Sequence, residues 1–386
     1  MKFKLSILTL FIPILLFPQS QINGVILDKD THEPLEFVDV SDDNHNTSSN
    51  EDGYFRFSTN DSSINFNLLG YEIKNITLET EIDTIYLKNK FIELEQVFIG
   101  NSDELVTSMF KKILDNYPLE PYSESFFMRS FLKKDGKIIK LQDLNGYIGR
   151  KTLFSTSKSP MPRKNYTVNI SNMRKAGFKD DKKVYFEMFS FEEFFQAITS
   201  LYISPDLFNF EVESPKESEF LLYNFTPKER SNVLSRGHFL VNSKDNSFRE
   251  YYMINEDNSN NFKEKRNIKY RTYFYELNVK FKKSDKDSKY YLSLAKLNAK
   301  VEVQDKTEGK NYYQVEYLWL AGNPGDFEVD ANTSLKKDIF KIDKKYDPIF
   351  WQNQSQLPLT LEMEAFLNNL RTDADNQYEV ISNFKG

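Results

Sequence analysis

The sequence contains no cysteine. This absence excludes disulfide bonds, structural zinc sites built from cysteine, and attachment to a membrane through a lipid-modified cysteine. Histidine is also rare: His32, His45 and His238 lie far apart, and none belongs to a His-Glu-x-x-His motif. The sequence therefore predicts neither a metal site nor a cofactor.

Glycine is scarce, with 13 residues in a chain of 386. This scarcity favours long strands and irregular loops over turns that depend on glycine. The sequence has no glycine-rich phosphate loop, no Gly-x-Gly-x-x-Gly and no Gly-x-Ser-x-Gly motif. Nothing singles out a catalytic pair among the 57 acidic residues. Enzymatic activity is therefore uncertain, and the sequence favours a protein that binds without catalysis.

Excess positive charge is lacking too, because the formal net charge is −6 at pH 7. A chain of this charge binds nucleic acid poorly, so no nucleic-acid partner is predicted. Aromatic residues are abundant instead: 34 Phe, 22 Tyr and 2 Trp make up 15% of the chain. Disordered chains contain few aromatic rings, and the composition therefore predicts a folded protein.

Residues 1–20 have the pattern of a secretory signal peptide. Lys2 and Lys4 precede an apolar run over residues 5–17, which is shorter than the ~20 residues of a membrane-spanning helix. Pro18 and Ser20 suit a cleavage site after Ser20; the alternative is an anchor helix that is retained. No other run approaches that length, so we expect an exported protein without a transmembrane helix, located in the periplasm or at the outer membrane.

Short runs of alternating apolar residues, separated by turn signals, fill residues 21–100. Alternation of this kind is typical of half-buried strands, and closely spaced short strands are typical of a β-sandwich. Residues 41–49 form a polar loop in this interpretation, and Asp52-Gly53 forms a turn. The seven predicted strands are 22–27, 35–40, 54–57, 64–68, 73–78, 82–87 and 94–99.

Four motifs in this region resemble the carboxypeptidase-regulatory-like domain, a prealbumin-like sandwich of seven strands found in exported Bacteroidota proteins. They lie at residues 24–28, 33–40, 50–55 and 69–72. The family often has Thr-x-Thr-Asp where this chain has Thr47-Ser48-Ser49-Asn50. The family name implies no peptidase activity, and no catalytic residue is carried over. The resemblance assigns structural roles to Gly24, Pro34, Asp52, Gly53, Tyr54, Phe55, Gly70 and Tyr71.

Residues 101–118 are predicted to form a linking helix, because Ser102 suits its start and Pro118 follows its last turn. Residues 119–386 are predicted to form a larger, antiparallel, β-rich α+β domain with helices over 190–202 and 360–371. This layout also resembles, more loosely, exported Bacteroidota proteins to which no activity is attached. The predicted fold class is therefore mainly β, with a seven-stranded sandwich followed by this second domain.

Positive charge is concentrated in residues 150–183, which contain ten basic residues and only two acidic ones, Asp180 and Asp181. One interpretation is a loop that contacts anionic lipid or an acidic partner. The other is a solvated insertion between strands. The candidate contact residues are Arg150, Lys151, Arg163, Lys164, Arg174 and Lys175.

The aromatic strands at 270–275 and 312–313 allow two interpretations. They could form a surface facing sugar or lipid, or they could pack in the core, which is the commoner role of aromatic residues in strands. The resulting hypothesis is an exported cell-envelope protein with a non-catalytic binding or scaffolding role toward a glycan, a lipid or an envelope protein. The alternatives are an envelope hydrolase with a carboxylate site in the second domain and a small outer-membrane β-barrel.

Overall fold

The computed structural model describes residues 20–42, 46–68, 70–77, 83–90, 94–96, 102–154, 162, 164–177, 188–200, 203–215, 219–265, 268–284, 286–305, 309–354 and 357–372. Residues 1–19 of the predicted signal peptide, which spans 1–20, lie outside them. Strands predominate, which confirms the prediction of a mainly β protein with few helices. The chain forms two compact units, Met1–Lys90 with Ser355–Leu361 and Phe91–Gln354 with Glu362–Gly386. In the described part, no helix is both long and apolar enough to cross a membrane.

The first unit contains seven strands: β1 (Ser20–Asp28), β2 (Asp39–Ser41), β3 (Asn46–Ser48), β4 (Tyr54–Thr59), β5 (Ser63–Asn67), β6 (Lys74–Thr77) and β7 (Thr84–Leu87). They form two sheets, β4-β1-β7 and β3-β2-β5-β6. Strand β1 pairs antiparallel with β4 and parallel with β7. Apolar residues such as Ile26, Phe55 and Phe66 fill the common core. The predicted seven-stranded sandwich is confirmed.

The strands of the first unit differ from the prediction in two places. Strand β3 lies in the segment predicted to be a polar loop, and its neighbour Ser49 is fully buried. The Ser49 hydroxyl donates to Leu35 O at 2.7 Å and accepts from Val38 N at 2.9 Å, so a polar sequence is accommodated inside the sandwich. Hydrophobic alternation cannot reveal such a strand. The predicted seventh strand is instead β8 (Leu94–Gln96), which belongs to the sheet of the second unit.

The turn at residues 50–53 does more than reverse the chain. The Asn50 side-chain oxygen accepts from the backbone N–H groups of Asp52 and Tyr54 at 3.0 and 2.9 Å. The Asn50 amide nitrogen is thereby aimed away from the turn, and it donates to Leu359 O at 2.9 Å. The Asp52 carboxylate accepts from Leu361 N at 2.7 Å. The motif therefore holds a segment that lies 309 residues further along the chain.

The other family-motif residues lie where they support the sandwich. Gly24 is opposite Phe55 in the β1–β4 ladder, and Phe55 packs edge-on against Phe66. Tyr71 follows Gly70, which has a positive φ of 88°, and its hydroxyl donates to the Asp28 carboxylate at 2.8 Å. Tyr54 is half-buried at the start of β4, and Pro34 forms an isolated bridge with Leu27.

The second unit is built on one antiparallel sheet of twelve strands. Besides β8, the strands are β9 (Tyr122–Lys134), β10 (Lys137–Arg150), β11 (Tyr166–Gly177), β12 (Phe208–Pro215), β13 (Phe220–Pro227), β14 (Ser235–Asn242), β15 (Phe248–Glu256), β16 (Lys263–Lys265), β17 (Ile268–Lys283), β18 (Tyr290–Asp305) and β19 (Gly309–Gly325). Their order in the sheet is β11-β10-β9-β19-β18-β17-β15-β14-β13-β12-β8, and β16 pairs with β17.

Helices lie between and after these strands. They are α1 (Ser102–Lys111), α2 (Ile113–Asn116), α3 (Phe191–Thr199), a 3-10 helix (Ile339–Lys341), α4 (Pro348–Asn353) and α5 (Leu361–Thr372). The predicted capping box is present in α3, where Ser190 and Glu193 exchange hydrogen bonds between side chain and backbone. The predicted linking helix is divided into α1 and α2 at Lys112.

One face of the sheet is a continuous aromatic and aliphatic surface. Because side chains alternate along a strand, Phe239, Leu297 and Trp319 fall on the same face as Phe126. All of these are buried in one core with the apolar side of α3. Tyr313 of the aromatic strands belongs to this core, whereas its neighbour Tyr312 is exposed.

We expect Gly53→Ala to destabilise the first unit by at least about 2 kcal/mol. Gly53 has a φ of +72°, and an added Cβ would lie 2.5 Å from Ile26 O. Gly70→Ala is the matched control, because its φ is +88° but nothing lies within 4 Å of an added Cβ; about 1 kcal/mol of backbone strain is expected there. Urea unfolding followed by far-UV circular dichroism measures both. Equal losses in the two variants would contradict the role of Ile26.

Candidate functional site

The structure does not place the predicted anion-contact residues on one loop. Strand β11 runs through the segment, and Arg150 and Arg174 are buried side chains of β10 and β11. Lys175 follows Arg174 and therefore points to the opposite face, where its ammonium donates to Ile342 O at 3.1 Å. Arg150 and Arg174 are thus part of the interior rather than of a binding surface.

The remaining candidates lie around the connection between β10 and β11. Lys151 and Lys164 are exposed, one directly after β10 and the other shortly before β11. The Lys151 N–H donates to Asn165 O at 3.0 Å, which draws the two strand ends together. Arg163 lies outside the described residues. A role for the exposed lysines in anion contact stays a prediction.

Arg174 belongs to a fully paired charge network on the second face of the sheet. The Asp143 carboxylate accepts from Nε and Nη2 of Arg129, both at 2.9 Å, and from Nε and Nη2 of Arg174 at 2.8 and 2.6 Å. Trp351 of α4 covers this network, with its ring 4.6 Å from the Arg174 guanidinium. Burial raises the pKa of Asp143, but the two guanidinium groups outweigh burial and hold that pKa below its usual value.

Arg150 belongs to a second buried ion pair, on the aromatic face, and this pair is incompletely bonded. Arg150 Nε donates to Glu124 Oε1 at 2.9 Å, and both side chains are inaccessible to solvent. Neither Nη group of Arg150 has a hydrogen-bond partner among the described residues, and neither does Glu124 Oε2. An unpaired buried polar group costs about 1–3 kcal/mol, and native proteins keep few of them.

Aromatic rings surround the Arg150 guanidinium. Its carbon lies 5.5 Å from the ring centre of Tyr166, 5.1 Å from that of Phe195 and 5.9 Å from that of Trp319. Such cation–π contacts offset part of the free-energy cost of burying the guanidinium. They do not replace the hydrogen bonds that its two Nη groups lack. Burial also raises the pKa of Glu124, although Arg150 opposes that rise.

A cavity of about 480 Å³ lies at the start of β9. Residues 117–122, side chains from residues 284–291 and residues 324–326 line it. Tyr122 in its wall is the cross-strand partner of Arg150 and shares a strand face with Glu124. The Tyr122 hydroxyl is buried and has no partner among the described residues. Burial and the nearby Glu124 raise the pKa of Tyr122 well above its usual value, so the hydroxyl keeps its proton.

The rim of the cavity carries mixed charge. Glu120, Asp287 and Asp326 contribute carboxylates, and Lys286 and Lys289 contribute ammonium groups. Tyr291 packs edge-on against Tyr122 at 5.0 Å and donates its hydroxyl to Asp287 at 2.6 Å. Burial acts to raise the pKa of Asp287, but this hydrogen bond and others lower it overall.

The cavity that Tyr122 lines is the candidate site, and the buried Glu124–Arg150 pair lies outside its lining. A second cavity of about 460 Å³, lined by residues 232–234 and parts of β15 and β17, has no buried unpaired polar atom among its lining residues. In the part of the chain that the structure describes, no group of three or more His, Asp or Glu residues could hold a metal ion.

Sequence reasoning missed this site, although one signal was present. Tyr122, Glu124, Phe126 and Met128 alternate along β9, so a single carboxylate interrupts an otherwise apolar face. An acidic residue on a core face needs a cationic partner, and the partner here is on the next strand. The assignment of Arg150 to a charged loop concealed that partner.

The family comparison agrees with the fold of the first unit. Residues 22–99 match the model described as the CarboxypepD_reg-like domain. The match covers the sandwich strands and β8, and it supports the presence of this domain at the N-terminal end of the chain. Comparison with the curated proteins found no match.

Solved structures show only distant similarity. A LolA superfamily protein from Nitrosomonas europaea is 8% identical over 58% of this chain and 94% of its own, with a TM-score of 0.22. A lipovitellin structure, described under the heading of lipid–protein interactions, is 9% identical over 56% of this chain and 26% of its own, with a TM-score of 0.23. The MucA/MucB complex of Pseudomonas aeruginosa is 7% identical over 55% and 93%, with a TM-score of 0.19. Similarities at these scores carry no functional argument.

We expect Asp143→Asn to reduce the free energy of unfolding by about 3–5 kcal/mol at pH 7, because two buried guanidinium groups lose their counter-charge. A lowered pKa contributes stability above the unfolded-state value near 3.9, and that contribution is lost as the pH falls through the lower folded-state value. The gap between the two proteins should therefore shrink below about pH 4.

Urea unfolding at several pH values, followed by tryptophan fluorescence, measures this gap. Asp343→Asn is the matched control, because the Asp343 side chain is 80% exposed and its pairing with Lys175 should be worth less than about 1 kcal/mol. A gap that stays constant from pH 7 to about pH 3 would show that the charge of Asp143 is not what stabilises the network.

Proposed function

We propose that this protein is an exported, non-catalytic binding protein of the cell envelope, and that the cavity beside Tyr122 holds its ligand. The observation that carries the proposal is a cavity of about 480 Å³ lined by tyrosine and proline residues, among them Tyr117, Tyr122 and Tyr291. Cavities of this size with mostly apolar walls and a few placed polar groups are typical ligand sites.

The carboxylates of the cavity favour binding over hydrolysis. Asp287 accepts hydrogen bonds from Tyr291 and from Lys289 N, which engages its oxygens within the protein. Glu120 and Asp326 are exposed at the rim. Catalysis by carboxylates relies on groups held in a water-excluded site, with one acid and one base directed at the substrate. The lining carboxylates are not arranged in that way.

The first unit has an accessory role in this proposal. Its family-motif residues support a turn, a glycine with positive φ and a packed aromatic core, and none of them is directed at a reacting group. A compact sandwich with such motifs suits a scaffold or an interaction module. The partner of this module would be another protein of the envelope.

The proposed export is tested by determining the first residue of the mature protein. The charged start, the apolar run and the small residues near position 20 support cleavage after Ser20. We expect mass spectrometry of the protein isolated from its native cells to find Gln21 as the first residue, in an envelope fraction. A protein that retains residues 1–20 and stays with the cytoplasmic fraction would contradict this part of the proposal.

The cavity is tested with a variant that fills it. We expect Ser284→Phe to abolish binding, because Ser284 lines the cavity and the added ring would occupy its space. Isothermal titration with an uncharged sugar trimer, with laurate and with a leucine–proline peptide measures the affinities.

Tyr147→Phe provides the control, since Tyr147 is an exposed aromatic residue that pairs with Phe327 and does not line the cavity. It should leave every affinity unchanged. The proposal fails if none of the three probes binds the unsubstituted protein, or if bound probes are insensitive to Ser284→Phe.

A further inference from the structure

Residues 327–332 follow β19 and pass over the ends of its neighbours; we call them the edge strap. The Phe327 carbonyl oxygen accepts a hydrogen bond from the Ser123 hydroxyl of β9. Val329 lies against β10, because a Cβ added to Gly149 would be 3.6 Å from the Val329 Cβ. Ser123 and Gly149 are cross-strand partners, so the strap passes from β9 to β10 at one end of the sheet.

The strap reaches β11 at Asn332, which bonds to the backbone of that strand. Ile170 N donates to Asn332 Oδ1, and Asn332 Nδ2 donates to Ile170 O, both at 2.9 Å. The Asn332 N–H donates to Val168 O at 3.2 Å. A side-chain amide carries the same donor and acceptor as a peptide group. Asn332 therefore forms with Ile170 the pair of bonds that a residue of a neighbouring antiparallel strand would form.

Further bonds on both sides of Asn332 hold its side chain in place. Asn169 Nδ2 donates to Asp330 O at 2.8 Å, and Asn332 Nδ2 also donates to Asn169 Oδ1 at 3.2 Å. On the other side, Lys344 Nζ donates to Asn332 O at 3.3 Å. The amide is thus fixed in the orientation in which it pairs with the strand.

Strand β11 is the last strand at one end of the sheet, so among the described residues no further strand pairs with its outer side. An open edge of this kind is a template for pairing with another chain unless it is covered or charged. We propose that the edge strap closes β11 against strand addition, and that Asn332 keeps a second copy of this chain from pairing there. This inference is independent of the ligand cavity.

The distribution of charge along β11 supports this role. Sheet edges in native proteins are protected by charged side chains, especially Lys, or by a covering segment. Residues 166–173 of β11 contain no charged side chain, whereas Arg174 and Lys175 follow them. The strap bonds at Val168 and Ile170, within the uncharged part. The covering segment therefore lies where charge does not protect the edge.

The test compares Asn332→Ala with the unsubstituted protein. Alanine removes both side-chain bonds to Ile170 and frees the N–H and C=O groups of that residue. We expect the unsubstituted protein to keep the mass of one copy from about 1 µM to about 100 µM, and the variant to shift toward two copies over this range. Light scattering after size-exclusion chromatography measures the mass.

Hydrogen exchange shows whether the change occurs at β11. The Ile170 N–H loses its acceptor in Asn332→Ala, so its exchange should be about tenfold faster at about 1 µM. At about 100 µM, pairing with a second copy should slow this exchange again. The N–H of Val315, on a central strand, should exchange equally in both proteins. Mass spectrometry of the peptides that contain these residues measures both rates.

A second substitution separates an open edge from a folding defect. Ser171 is exposed beside Ile170, and Ser171→Lys places a charge on the uncharged part of the edge. Because a second copy would bring the same charge, we expect Asn332→Ala with Ser171→Lys to keep the mass of one copy. Asn323→Ala is the matched control at another exposed asparagine and should also keep the mass of one copy.

Three results overturn the inference. If Asn332→Ala keeps the mass of one copy at every concentration, the strap does not control association. If the unsubstituted protein associates as strongly as the variant, Asn332 does not prevent pairing. If the variant still associates when it carries Ser171→Lys, the edge of β11 is not the surface through which it associates.

Discussion

Alternation of side chains along antiparallel strands is the constraint on which the second unit depends. Each residue of a strand faces opposite to its neighbours, so a broad sheet has two faces that must each be covered or hydrated. One face here is aromatic across the sheet, and α1 and α3 bury it. Any polar residue placed on that face loses water and must find its partner within the protein.

The two buried ion pairs show two outcomes of this constraint. On one face, Asp143 is shared by two arginines, and both of its carboxylate oxygens accept hydrogen bonds. Trp351 of α4 covers this network. Glu124 and Arg150 lie on the other face and share a single hydrogen bond. Glu124 Oε2 and both Nη groups of Arg150 have no hydrogen-bond partner among the described residues. The first arrangement stabilises the fold. The second adds a cost that a purely structural core would avoid by using apolar residues.

The spacing and type of neighbouring residues predicted those parts of the fold that short stretches of sequence determine. The turn at Asp52-Gly53, the capping box of Ser190 and the sandwich follow from spacing and residue type, and the structure contains all of them. Strand β3 was missed because its buried side chains, Thr47 and Ser48, carry hydroxyls; the neighbouring Ser49 hydroxyl bonds to backbone inside the sandwich. Strand β8 has the right pattern, but its choice of sheet depends on β12, which is more than one hundred residues away.

The candidate site could not be predicted for a related reason. A sequence shows that Arg150 and Arg174 lie in a basic segment, but it does not show that both point inward from strands. Their partners, Glu124 and Asp143, are found only when the register of β9, β10 and β11 is known. Charge density along the chain predicts a surface only when the segment is a loop, and here a strand of twelve residues crosses it.

The hydrogen bonds from Asn50 and Asp52 to residues 359 and 361 have a consequence for folding order. The strands of the first unit are all synthesised within its first 90 residues, and β1, its central strand, can pair with β4 and then with β7 as they emerge. The segment 355–361 reaches the same unit only after residues 91–354 have been synthesised. Contacts of such sequence separation form late, since closing the loop between them costs the most chain entropy. The unit that is made first is therefore among the last to complete its hydrogen bonds.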